Sequence, residues 1–236
     1  MIIVIEGIDG CGKETQAKAV TELLQGMGHV TRMISFPRYS SPSSSTAKMY
    51  LNGEFGKSAE RINPYQASSM FAVDRVATYL KEIKPFMDAS DFVLDRYVES
   101  NLIYQGAKIE DEAERKEFID WEYDYEFRKL SLPIPDIVFL LNVSDKVYEG
   151  NIARRSSGSK HSGADIHESN LAFLRQAKKT GAQLALELGW NIIDCDDGEK
   201  MLPEEVITGK IMQGIKKNTS MGTRISSMFM RGIAKI

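Results

Sequence analysis

Cysteine is nearly absent. Cys11 and Cys195 are the only two in 236 residues and lie far apart, so no disulfide framework is implied and a reducing compartment is expected. Also missing is any apolar run of membrane-spanning length, and no charged stretch precedes the short apolar segment at the N-terminus. The expectation is a cytoplasmic protein without a membrane partner. A basic excess is lacking too: 30 Lys and Arg against 33 Asp and Glu leave a formal net charge of −3, which argues against a nucleic-acid platform. What remains is ordinary globular composition, 42% hydrophobic and 27% charged. The length suits one α/β domain, with room for a mobile subregion.

Five short apolar runs read as buried strands: Ile2–Glu6, Val30–Phe36, Asp91–Asp95, Ile137–Val143 and Asn191–Asp194. Between them, Lys13–Met27, Pro64–Met87, Val98–Arg128 and Ile166–Leu188 carry helical spacing. Near-continuous apolar strands alternating with helices predict a five-stranded parallel sheet covered on both faces. No internal repeat is present. Ser40–Ser45, five serines and a proline, predicts a loop ahead of the segment Thr46–Leu51.

The sharpest local signal is Gly7-Ile8-Asp9-Gly10-Cys11-Gly12-Lys13, directly after the first strand and opening a helix. Glycines let the backbone wrap a phosphate with its N–H groups, the helix presents its N-terminus, and the lysine reaches the β- and γ-phosphates of a nucleotide. Cys11 is expected to contribute only its backbone N–H. The usual pattern places Ser or Thr after the lysine, where its hydroxyl binds Mg²⁺. Here Glu14 stands there and Thr15 follows. Either Thr15 supplies the hydroxyl, or Asp9, Asp95 and Glu168 hold the ion.

The run Gly7 to Gln16 resembles the thymidylate kinase family, whose loop has an Asp two residues after its first Gly. Further matches come in order: Phe36-Pro37-Arg38-Tyr39, Phe71-Ala72-Val73-Asp74-Arg75, Asp95-Arg96-Tyr97 with Ser100, Asn101, Tyr104 and Gln105, and the acidic pair Asp165 and Glu168. The resemblance spans residues 1–212. It implies a P-loop-type three-layer α/β/α fold and phosphoryl transfer from ATP to dTMP, giving dTDP for dTTP biosynthesis, with Mg²⁺ as cofactor. It also implies that Phe71 stacks on thymine and Arg75 bonds its carbonyl, with Asn101 assisting. Arg38, Tyr39 and Arg96 would hold the monophosphate, Asp95 would organise Mg²⁺ or its waters, and Tyr104 would block the ribose 2′ position. A cis Phe36–Pro37 peptide and a homodimer are further implications. From the residues themselves, Phe71 and Arg75 share one helix face at i, i+4, a reasonable nucleobase reader, and Arg96 follows a strand end where a bidentate phosphate clamp fits.

Arg154 and Arg155 lead into Ser156–Gly163 (SSGSKHSG), which also holds Lys160. Beside a phosphate loop this reads as a lid, about residues 154–168, closing positive charge over the transferring group. Some family members carry a catalytic arginine inside the phosphate loop. Gly10 stands at that position here, so Arg154 or Arg155 must supply it, with Lys160 in reserve. No general base is required, because a phosphate monoester is largely dianionic at pH 7. His29 is therefore assigned to a helix-to-strand turn, and His161 and His167 to the surface. From Gly214 the chain carries Lys216, Lys217, Arg224, Arg231 and Lys235 and no acidic residue, so 213–236 reads as a basic tail or an extra helix, the alternative being a partner contact through Met221, Met228 and Phe229. Three rival functions stand beside the main one. A kinase for another monophosphate differs only in its base pocket. A deoxynucleoside kinase would want a carboxylate base where Arg38 and Arg96 lie. A regulator that binds nucleotides without turnover would explain Glu14.

Overall fold

The computed structural model describes residues 1–56, 58–158, 166–167 and 170–220, with backbone alone at 60, 152–158 and 220. Its five strands are β1 (Ile2–Glu6), β2 (Thr31–Ser35), β3 (Asp91–Asp95), β4 (Ile137–Asn142) and β5 (Asn191–Asp194). All pair in parallel, in the order β2-β3-β1-β4-β5, as the near-continuous apolar runs predict. Successive side chains leave opposite faces of each strand. Ile3, Ile5, Val93 and Phe139 enter one buried cluster, whereas Ile2, Val4, Phe92, Leu94 and Val138 enter another.

The helices are α1 (Lys13–Gly26), α2 (Ser45–Leu51), α3 (Pro64–Thr78), α4 (Val98–Tyr104), α5 (Glu112–Tyr123), α6 (Asp145–Gly158), α7 (Leu171–Glu187) and α8 (Glu204–Ser220). Three long helical segments prove shorter or broken, each for a local reason. The first stops at Thr78 and unwinds through a π turn, Tyr79–Ile83, into a 3₁₀ turn, Lys84–Phe86, because Pro85 brings no N–H and its ring crowds the preceding turn. The second breaks at Gly106–Lys108, and α5 restarts where Asp111 accepts from the Ala113 and Glu114 N–H groups, both at 2.9 Å. The third begins only at Leu171, capped by Asn170. The serine-rich stretch is a 3₁₀ turn, Pro42–Ser44, rather than an irregular loop.

Helix α8 continues past residue 212, and Ile211 and Ile215 reach the core. It lies so close to β4 that a Cβ on Gly214 would sit 2.5 Å from the buried Phe139 ring. Changing Gly214→Ala should therefore destabilise the fold. Overpacking costs about 1–3 kcal/mol, against the roughly 1 kcal/mol that alanine gains over glycine in a helix. A thermal melt should show the midpoint lowered by a few degrees; an unchanged or raised midpoint would contradict this packing.

Candidate active site

The register aligns Ser35 and Ile5 with Asp95, so β1, β2 and β3 end at one edge of the sheet, where ligands gather in open α/β folds. From that edge come Gly7–Lys13 after β1, Phe36–Tyr39 after β2 and Arg96 after β3. The first of these is a tight phosphate cradle. Gly7 has φ 147°, and a Cβ there would sit 2.6 Å from Cys11 Sγ and 2.9 Å from the Leu141 carbonyl oxygen. Gly12 (φ 92°) caps α1 in the left-handed region. The Cys11 side chain is buried beside Gly7, and burial pushes its thiol up. Lys13, also buried, donates to the Ile8 carbonyl oxygen at 2.9 Å.

Arg96 is held in a conformation that an L-residue adopts at a cost of about 1–2 kcal/mol: its φ is 68°. Neighbouring groups tie it to β1. The Arg96 N–H donates to Ile5 O at 3.1 Å, and the next N–H, of Tyr97, donates to Glu6 Oε1 at 2.8 Å. Glu6 is fully buried and also accepts from the Ser100 hydroxyl. Burial pushes the Glu6 carboxyl up, opposed by the Arg96 charge and these donors. Glu6 is thus a positioning residue absent from the sequence reading, although a carboxylate closing an apolar strand was its visible sign. Ser100, expected at the ligand, is turned to Glu6.

Asp9 joins the two sides of the site. Arg96 Nη2 pairs with its Oδ1, Lys13 Nζ lies 3.7 Å from the same atom, and the Tyr104 hydroxyl donates to Oδ2 at 2.8 Å. Burial alone would raise the Asp9 pKa; Arg96, Lys13 and Tyr104 outweigh it and hold the carboxyl below the usual range. Arg38 reaches away, its Nη2 on Glu82 at 2.6 Å, while its N–H and the Ser43 hydroxyl both donate to buried Asp74. Tyr39 is exposed, and Phe36–Pro37 is cis.

Phe71 is half-buried, edge-on to Tyr50. Arg75 is buried and forked onto Glu126, with Nε–Oε2 at 2.6 Å and Nη2 on Oε1, and donates through Nη1 to Tyr97 O at 3.3 Å. Asn101 is buried on α4 and Gln105 at its C-cap; Gln105 Oε1 has no partner among the described residues. Asp95 Oδ1 is likewise buried and without a partner there, and burial pushes this carboxyl up against the opposing charges of Lys13 and Arg96. Among the described residues no three acidic, His or Cys side chains form a metal cluster. A Mg²⁺ site needs only one or two carboxylates beside phosphates and waters, and the open Asp95 oxygen fits that. Glu14 and Thr15 are exposed at the start of α1. Positions 154 and 155 lie on α6, whose Asn151 donates to Gly10 O at 3.3 Å; their side chains, with Lys160, His161, Asp165 and Glu168, lie outside the described residues, as do Arg224 and the tail beyond Ser220.

His29 sits between α1 and β2 as expected, bonded to Asp91. The surface assignment of His167 fails. It is buried, stacked on Tyr104 at 5.0 Å between ring centroids, with Nε2 2.8 Å from the Tyr50 hydroxyl. Burial, then the charges of Lys108 and Arg96, lower its pKa to about 3 despite Asp9. An unfolded histidine keeps its ordinary value of 6.5, so the unfolded chain binds the extra proton between these values. The resulting stability is complete above about pH 6.5 and is lost as pH falls toward 3. In denaturant titrations, His167→Gln should show a shallower loss of stability between pH 6.5 and 4 than wild type; parallel curves would refute this.

The family model for thymidylate kinase matches residues 5–206. The thymidylate kinase of Mycobacterium tuberculosis is 32% identical over 192 residues, covering 80% of this chain and 87% of its own. A probable thymidylate kinase of Pyrobaculum aerophilum is 28% identical, covering 86% and 91%. The solved thymidylate kinase of Candida albicans superposes with a TM-score of 0.67 over 92% of each chain at 21% identity, a likeness of fold. Matched over most of its length by that family model and by a relative at 32% identity, this chain belongs to the thymidylate kinase family.

Proposed function

We propose that this chain is a thymidylate kinase that transfers the γ-phosphoryl group of ATP to dTMP, giving dTDP and ADP. One observation carries the reading: Lys13, from the donor loop, and Arg96, from the opposite strand end, converge on a single oxygen of Asp9. Two phosphate chains meeting there would have a cation on each side of the group that moves. In this reading the Gly7–Lys13 amides, including those of Ile8, Gly10 and Cys11, cradle the ATP phosphates. Arg96 takes the monophosphate, with Arg38 and Tyr39 beside it. Phe71 stacks on the base, and Tyr104 fills the space at the ribose 2′ position.

The dTMP phosphate attacks as its own nucleophile, so catalysis is alignment and charge stabilisation. Asp95 would hold Mg²⁺, with Asp9, Thr15 and Glu168 as further candidates, and the bound ion would offset phosphate charge. A lid cation, Arg154 or Arg155, completes the charge around the transferring group. Family membership supports a homodimer, and Val73 and Leu80 present exposed apolar side chains at and just beyond α3. A cytoplasmic location belongs to the same reading; among the described residues no helix is long and apolar enough to cross a membrane.

A coupled ADP-release assay with dTMP, dUMP, CMP, UMP and thymidine should show turnover best with dTMP and none with the nucleoside. Equal use of thymidine would refute the phosphate-acceptor site. Lys13→Ala and Arg96→Ala should each cut kcat/KM for dTMP by roughly 100-fold or more in folded protein, and wild-type-like turnover in either would contradict these roles. Arg154→Ala and Arg155→Ala should be compared singly. At least one should lower kcat more than it weakens ATP binding; if neither does, the catalytic cation lies elsewhere.

A further inference from the structure

Beneath the proposed base site lies a buried polar knot that the phosphoryl chemistry does not require. Ser68, Phe71 and Arg75 follow one another along a face of α3 at helical spacing. Glu122 of α5 and Glu126 of the π turn after it (Asp124–Lys129) reach in from one side, both with no exposure, and Asn101 of α4 from another. Asn101 Nδ2 is surrounded by acceptors: Glu122 Oε1 at 2.7 Å, and Ser68 O and Glu126 Oε1, each at 3.3 Å. Such surroundings decide which end of an amide is which. The nitrogen is turned inward to these three acceptors, and Oδ1 is the other end of the amide.

The knot holds two carboxyl groups and one guanidinium. Glu126 sits in the fork of Arg75. Burial, followed by the charge of Glu126, pushes the Glu122 carboxyl well above the usual range. Its Oε2 is sealed and unpartnered among the described residues. Sealing a carboxyl with one oxygen unused is costly, and packing alone would be served better by an apolar side chain. Its Oε1 gives the reason, because that atom makes the shortest contact to the Asn101 amide.

We propose that Glu122 is a specificity-determining positioning residue. Its buried carboxyl captures Nδ2 of Asn101, so the base meets only the amide oxygen, and the site accepts pyrimidines with a protonated N3 and rejects the 4-amino kind. Thymine and uracil offer N3–H to that oxygen. Cytosine offers a lone pair, and acceptor faces acceptor without a hydrogen bond. Its 4-amino group would also face the Arg75 guanidinium, which has donors only. Glu122 itself touches no ligand. The inference rests on the proposed dTMP kinase activity and assigns the part of base selection that one methyl group cannot provide.

The test compares wild type, Glu122→Gln and Glu122→Met in kcat and KM for dTMP and dCMP at saturating ATP, with thermal melts as controls. Glutamine keeps the shape of the carboxyl and its acceptor oxygen for Asn101, and should keep the dTMP-over-dCMP ratio within about threefold. Methionine should raise KM for dTMP roughly tenfold at near-constant kcat, lower that ratio at least tenfold, and leave KM for ATP unchanged. A ratio unchanged in folded Glu122→Met, or an equal loss for both substrates as a purely structural role would give, overturns the proposal. Should the methionine variant fail to fold, wild-type protein answers with dTMP methylated at N3. Binding at least tenfold weaker than dTMP supports the inward-turned nitrogen, and equal binding overturns it. Wild type inactive on dTMP would instead sink the kinase reading itself.

Discussion

One oxygen atom, Oδ1 of Asp9, organises the centre of this molecule. It draws the lysine of the phosphate loop and the arginine of the opposite strand end to within reach of each other, although 83 residues separate them in the chain. That meeting requires Gly7 and Gly12 to bend the loop, and requires β1 and β3 to end in register. It also depends on Glu6 holding the backbone just beyond Arg96 through Tyr97 N–H and Ser100. Together with the Arg96 N–H bond to Ile5 O and the Asp9 pair, these Glu6 contacts hold Arg96 in its left-handed conformation against its cost.

The site is built in layers around that point. Carboxylates sit behind the cations: Asp9 behind Arg96 and Lys13, Glu126 behind Arg75, Glu82 against the Arg38 guanidinium. Each pair keeps a guanidinium or ammonium at a fixed place when no phosphate is bound, and an anionic ligand then meets a prearranged cation rather than a flexible one. His167 extends this order by stacking on Tyr104, whose hydroxyl is bonded to Asp9. Neutral at physiological pH, it adds no charge to a site already rich in it.

Much of this was legible in the residues. Near-continuous apolar strands pointed to the parallel sheet, and the glycine-rich loop between strand and helix to the tight turn that follows β1. The helix breaks were harder to see, since apolar spacing continues across Gly106 while the backbone does not; only Asp111, an N-cap, marked the restart. Glu6, Asp74, Glu122, Glu126 and His167 were missed for a common reason. A buried polar residue looks like a surface one until its partner is known, and Glu126 meets Arg75 across 51 positions and Glu6 meets Tyr97 across 91. The local hints were Glu6 closing an apolar strand and the i, i+4 pair Glu122 and Glu126, set among Trp121, Tyr125 and Phe127.

The convergence of Lys13 and Arg96 is tested most directly by calorimetric binding of a single molecule that joins adenosine to thymidine through a chain of five phosphates. The geometry predicts that it binds at least about 100-fold more tightly than ATP or dTMP alone, since the second half binds at high effective concentration. It also predicts that Lys13→Ala and Arg96→Ala each abolish most of that gain. Binding no tighter than that of the better single nucleotide would show that the two phosphate sites do not meet end to end.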